Sequence, residues 1–216
     1  MTMSSCCPHA RSAGRFFSFF AHRYRKRFKK KGFEPSQQQL IAGIEQVGYR
    51  DATVLEIGCG VGHLHQSLLE QGAKSAVGID LASSMLDEAR DLAAERGLTE
   101  RTEYIEGDFM LVADQVDPAD ISLLDKVVCC YPDAQGLLEK SLARTERAIA
   151  LTYPRDRWFV RLGVSAIACV LWIARSDFRS YVHDPVQIEH WITTSGMEKR
   201  FEAATTAWLT QVYVRA

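Results

Sequence analysis

The chain has no pair of cysteines at CxxC spacing, no apolar run long enough to cross a bilayer and no acidic residue among its first 33 positions. Each absence excludes something. Its 6 cysteines include two adjacent pairs, Cys6 with Cys7 and Cys129 with Cys130, and sequence neighbours are poor disulfide partners, so a disulfide scaffold is excluded. Cys6, Cys7 and His9 cluster without a fourth ligand nearby, and no metal site is expected. The longest apolar stretch, residues 162–174, has 13 residues and includes Gly163 and Ser165; it predicts a buried helix, not a membrane span. The FFSFF segment runs directly into Arg23, Arg25, Lys26 and Arg27 with no cleavage site, so a cytoplasmic protein is expected.

The missing acids leave a strong charge asymmetry. Residues 1–33 hold nine Lys or Arg, and the remainder of the chain carries 17 basic against 27 acidic residues. A basic end can mark contact with nucleic acid or an anionic membrane. Phe17, Phe20, Tyr24 and Phe28, however, share a narrow arc at 100° per residue, with Arg23, Arg25, Lys26 and Lys29 largely outside it. That pattern predicts an amphipathic helix docked by its aromatic face on the acidic remainder as a lid. The domain reading is a basic segment over 1–34 and one globular domain over 35–216.

A second absence lies within VLEIGCGVGHLHQSLLEQGA, residues 54–73. Its apolar run, glycine cluster and helically spaced leucines read as strand, turn and helix. The dinucleotide fingerprint needs a glycine three positions after Gly60, and His63 stands there. What is present is Glu56-x-Gly58-x-Gly60-x-Gly62, with the small Cys59 inside the turn. A carboxylate at that strand end repels phosphate but accepts hydrogen bonds from an ammonium group. The second apolar run ends in Asp80, where a carboxylate can take both hydroxyls of a ribose. An adenosine that bears an amino acid is S-adenosylmethionine.

With LEIGCGVG, GID, EGDF at 106–109 and DISLLDKVVCCYPD at 120–133 in order, the chain resembles the class I S-adenosylmethionine-dependent methyltransferases over roughly residues 50–155. The resemblance implies a doubly wound, mostly parallel seven-stranded α/β sheet of Rossmann-like type, with a closing antiparallel hairpin and here an N-terminal helical lid. It implies S-adenosylmethionine as cofactor, held by Glu56, Gly58, Cys59, Gly60, Gly62, Asp80, Leu81, Met85, Asp108, Phe109 and Asp125. The expected strands lie near 53–57, 76–80, 102–106, 119–124, 147–152 and 197–203, with a last one over 208–214. The expected helices lie at 35–47 and near 62–71, 84–96, 133–143, 157–173 and 185–195, the third of these starting at Ser84 with Asp87.

The substrate side should lie beyond the strand ends, at Asp125 to Asp133, Tyr153 to Trp158 and Tyr181 to Asp184. Tyr131, Tyr153, Arg155 and His183 are the candidate catalytic residues, Arg155 as a partner for an acceptor carboxylate and His183 as base or loop anchor. RAIALTYPRDRWFVR and SYVHDPVQIEHWI are similar to the region after the fifth strand in the magnesium-protoporphyrin O-methyltransferases, although Cys130 stands where that family has a histidine. This resemblance implies a roomy apolar pocket. The expected partner is a small or medium-sized, partly apolar acceptor methylated at oxygen, with no nucleic acid, no transmembrane segment and peripheral membrane contact left open. Two rivals stand beside it: a nucleic-acid methyltransferase using the basic helix, and a non-catalytic S-adenosylmethionine-binding partner protein.

Overall fold

A computed structural model of the chain describes residues 21–173 and 178–216. Phe17, Phe20, Cys6, Cys7 and His9, which the sequence singles out, lie outside the described residues. Among the described residues two helices come first, α1 (Ala21–Lys31) and α2 (Pro35–Val47). Then follow β1 (Thr53–Ile57), α3 (His63–Glu70), β2 (Ser75–Asp80), α4 (Ser83–Glu95), β3 (Thr102–Glu106), the short α5 (Phe109–Val112) and β4 (Ala119–Asp125). The chain continues through α6 (Ala134–Ala143), β5 (Thr145–Pro154), α7 (Trp158–Ile173), α8 (Pro185–Thr194), β6 (Met197–Ala204) and β7 (Trp208–Arg215).

The seven strands form one sheet in the order β3-β2-β1-β4-β5-β7-β6. β1 to β5 run parallel, and β7 is inserted antiparallel between β5 and β6. The strand order reverses between β1 and β4, so the crevice of a doubly wound sheet opens there. Alternation of side chains sends Leu55, Ile57, Leu124, Leu151 and Tyr213 to a core under α5, α6 and α8. Val54, Ile121, Leu123, Ala150 and Val212 go to the opposite core, with Leu40 and Ile44 of α2 and Leu64 and Leu68 of α3. Helices on both faces are what near-continuous apolar strands require.

Caps fix several helix starts. Asp133 accepts from Gly136 N at α6, Asp184 accepts from Val186 N at α8, and Asp108 accepts from Met110 N at α5. The start expected at Ser84 falls one residue earlier, at Ser83, and its N-cap Ala82 supplies no side-chain bond. One expectation is overturned outright. α7 packs only through the stripe of Val160, Val164, Ala168 and Leu171, and Trp158, Leu162, Ile167, Val170, Trp172 and Ile173 are exposed. A run of apolar residues fixes how a helix is composed, not how many of its faces find a partner.

Gly43 sets how closely α2 approaches the sheet. A Cβ there would lie 2.6 Å from both Phe201 Cδ1 and the fully buried Val212 Cγ2. Alanine in place of a mid-helix glycine gains about 1 kcal/mol of helix propensity, whereas overpacking costs about 1–3 kcal/mol. Gly43→Ala should therefore fail to stabilise the protein, and Gly43→Val should destabilise it by about 1–3 kcal/mol in denaturant titrations. A stabilised Gly43→Val variant would mean that α2 stands off the sheet.

Candidate functional site

The glycine turn after β1 forms one wall of a cavity of about 490 Å³ at the carboxyl ends of β1, β2 and β4. Gly58 sits at φ +65°, where side chains are strained, and a Cβ on it would come 2.5 Å from Val127 Cγ2. Gly60, at φ +52°, has nothing within 4 Å of where its Cβ would be, and it lines the cavity. A ligand can therefore reach the main chain at Gly60. Cys59 is buried in the turn, its N–H donating to Ile79 O at 2.9 Å, which fits its reading as a small filler.

Asp80 ties this turn to the next one. Gly60 N donates to its Oδ2 at 2.8 Å and Ala82 N to its Oδ1 at 2.9 Å. Burial raises its pKa from the ordinary carboxylate value, against the opposing pull of these amides. The Leu81 amide also faces this carboxylate, and its remaining acceptor capacity is open to a ligand hydroxyl. Leu81 and Met85 follow Asp80 along the cavity wall. Across from them Asp108 Oδ1 accepts from Tyr131 Oη–H at 2.9 Å and from Met110 N at 3.1 Å, and the buried Phe109 closes the same side. Burial first, then Asp108, raises the Tyr131 pKa, so its hydroxyl stays a donor.

Glu56 lines the cavity but is not free. Its Oε2 lies 2.6 Å from His65 Nδ1 and 3.2 Å from His65 N, and both side chains are buried. His65 Nε2 lies 3.0 Å from Tyr104 Oη, which in turn accepts from Gln66 Nε2 at 2.8 Å. Burial pushes the Tyr104 hydroxyl up to about 12. His65 therefore anchors the motif carboxylate; it is not among the residues the sequence singles out, and its spacing of nine residues from Glu56 is the only signal the sequence offers. The ring of His63 stacks on Phe28 with centroids 3.6 Å apart, and both its nitrogens are buried without a partner among the described residues. Burial, then the Arg96 charge, lowers its pKa to about 3, so the ring is neutral near pH 7.

Asp125 ends β4 at the cavity. Its Oδ2 accepts from Gln37 Nε2 at 2.9 Å and from Lys126 Nζ at 3.2 Å, and its Oδ1 is buried with no partner among the described residues. Lys126 continues to Glu34 at 3.1 Å, and Glu34 pairs with Arg27 of α1. Helix α1 thus covers one side of the cavity through Tyr24, Arg27 and Phe28. Its outer cations reach α4: Arg25 pairs with Glu88 at 2.7 Å and with Glu95, and Lys29 with Glu95 at 3.1 Å.

The structure divides the four catalytic candidates. Tyr131 lines the cavity. His183 does not, but its Nε2 lies 3.0 Å from Tyr131 O and so braces that loop; burial lowers its pKa. Tyr153 is placed elsewhere: it is fully buried in the sheet core, with its hydroxyl donating to Gln211 Oε1 at 2.6 Å. Arg155 is also off the cavity, donating to Thr205 O at 2.9 Å, while its own N–H donates to Ala207 O at 2.8 Å. The turn between β6 and β7 caps the end of β5, and this is why residues after that strand fail to reach the crevice.

Docking of α1 depends on ionised carboxylates. The hydrogen bond from Arg25 lowers the Glu88 pKa, and Lys126 with Arg27 outweighs burial to lower that of Glu34. Groups depressed in this way favour the docked state above their ordinary pKa and stop favouring it as pH falls through the depressed one. Amide exchange over residues 22–31, corrected for intrinsic rates, should stay slow from neutrality to about pH 5 and accelerate below about pH 4. Arg25→Gln should reproduce the acceleration at neutral pH. Slow exchange at pH 3 would show that apolar packing alone holds α1.

Residues 54–147 match the family profile described as a methyltransferase domain. A ribosomal protein L11 methyltransferase of Pasteurella multocida is 31% identical over 172 residues, covering 76% of this chain and 52% of that protein. The chain spans about half the length of the curated relatives that it matches over 172 residues. Among solved structures, magnesium protoporphyrin IX methyltransferase from Synechocystis PCC 6803 with bound SAM superposes with a TM-score of 0.72 at 17% identity, over 100% of both chains. An O-methyltransferase family 2 protein from Planctomyces limnophilus in complex with apigenin gives 0.67 at 15% identity, over 95% of this chain and 62% of that one. With sheet order, glycine turn and matched segment in agreement, residues 54–147 form a methyltransferase domain, set in a fold shared with a structure that binds S-adenosylmethionine.

Proposed function

We propose that the protein transfers the methyl group of S-adenosylmethionine to a small or medium-sized, partly apolar acceptor, at oxygen. One observation carries this reading: a single cavity joins the Glu56, Asp80 and Asp108 carboxylates to apolar walls from Ile57, Val61, Leu81, Met110 and Leu111, under Tyr24 and Phe28. Its volume of about 490 Å³ falls within the range of small-molecule sites, about 300–1,000 Å³. Three cations of the basic helix, Arg25, Arg27 and Lys29, are turned inward onto Glu88, Glu95 and Glu34, which seats the helix beside the cavity.

The residues present fit the cofactor. Asp80 lines the cavity with acceptor capacity for a ribose hydroxyl, Gly60 leaves the main chain open, and Asp108 lies beside Phe109 for the adenine end. Glu56, oriented by His65, faces the ammonium end. When bound, S-adenosylmethionine supplies a methyl group on a positively charged sulfur, and that charge disappears on transfer. The protein's work is then alignment and exclusion of water, which falls to α1 as a lid and to the Tyr131 loop braced by His183. Asp125 Oδ1 and the neutral His63 ring remain to hydrogen-bond the cavity's occupants.

Incubating the protein with methyl-labelled cofactor and a metabolite extract should place the label on a small molecule, as an ether or ester. Label found on RNA or on a ribosomal protein instead would contradict the acceptor assignment. Asp80→Ala should weaken S-adenosylhomocysteine binding by about 2 kcal/mol, roughly thirtyfold by calorimetry. Unchanged affinity in a folded variant would move the ribose elsewhere. With the pKa values of His63 and His183 both lowered, both rings are neutral from neutrality upward, so the rate should show no histidine limb between about pH 7 and 8. A limb there that His183→Gln removes would make His183 a base.

A further inference from the structure

Helix α7 is apolar on all sides yet packs through one stripe. Of its 16 residues only Arg161 is charged, and Trp158, Val170 and Trp172 are 77%, 65% and 69% exposed. Val186 at the start of α8 adds another exposed apolar side chain. A helix hydrophobic all round is stable only when something covers it. At 1.5 Å per residue its 16 described residues reach about 24 Å, short of the roughly 30 Å of a bilayer core, so they do not span one.

Two further features say what covers α7. Tryptophans stand at both ends of α7, and their rings, apolar with one polar edge, favour the headgroup level of a membrane. The end of α7 also adjoins the start of the basic helix. Leu171 packs with Phe178 against Leu81, while the neighbouring Ala82 packs with Met85, Val61 and Ala21 of α1. In α1, Arg23, Lys26, Lys30 and Lys31 form no ion pair among the described residues, and α1 has no acidic residue. An isologous contact with a second copy would bring like charges to a shared rim, whereas anionic lipid complements them.

We infer that the protein seats on anionic lipid, with α7 lying in the interface as a monotopic helix and the free cations of α1 contributing the preference for negative headgroups. Leu81 belongs both to the contact with Leu171 and to the cavity wall, so α7 adjoins the cavity through its packed stripe, behind the seated face. The inference stands independently of which molecule is methylated.

The test is sedimentation of the full chain with vesicles of phosphatidylcholine, alone or with about 30 mol% phosphatidylglycerol. Binding should be at least about tenfold stronger to the anionic vesicles, and brominated lipid should quench tryptophan fluorescence. Val170→Glu with Leu162→Glu should lower vesicle affinity by about tenfold or more, with S-adenosylhomocysteine affinity unchanged as the check on folding. Replacing Lys26 and Lys30 by Glu should erase the anionic preference. Quenching should be lost in a Trp158→Phe, Trp172→Phe variant that retains Trp191 and Trp208. Absence of vesicle binding, or binding indifferent to the α7 substitutions, would overturn the inference. So would a concentration-dependent dimer that Val170→Glu dissolves and vesicles leave intact, which would assign the face to a second copy.

Discussion

The carboxylate of Asp80 is shared between the amide of Gly60 and the amide of Ala82, and the geometry of the site follows from that sharing. One bond fixes the turn after β1 and the other fixes the turn after β2, so the two loops at the crevice become one rigid wall. The group lies in a position where burial disfavours its charge, which the amides of Ala82, Gly60 and Leu81 offset only in part. A ligand hydroxyl that donates to it would complete the compensation. The site is thus preorganised by a strain in solvation rather than by a closed conformation.

Much of this was legible in the sequence because it is local. The apolar run, the alternating glycines and the acid at the next strand end are consecutive letters, and the turn and Asp80 stand where those letters put them. The parallel sheet and the closing hairpin were legible for a similar reason, since the period of the apolar residues marks each unit. Helix α2 follows the proline at its first position and its apolar face to the residue.

What stayed hidden depends on partners far apart in the chain. The sequence shows Tyr153 at a strand end, but not that the 205–207 turn of another hairpin closes that end and leaves the tyrosine facing Gln211. It shows His65 on a helix, but not the 2.6 Å contact that turns it toward Glu56. It shows α7 as apolar, but not that the sheet leaves it only one stripe to pack against. Burial is a property of the assembled surface, and composition reports only what a segment can tolerate.

The central claim is that the Gly60, Asp80 and Asp108 wall is the cofactor site. Titrating isotopically labelled protein with S-adenosylhomocysteine, and separately with NAD, while following backbone amides by nuclear magnetic resonance tests it most directly. The account predicts saturable shifts at Gly60, Ala82 and Met110 with S-adenosylhomocysteine and none that NAD reproduces or competes away. Shifts centred elsewhere, or NAD binding at these same amides, would contradict it.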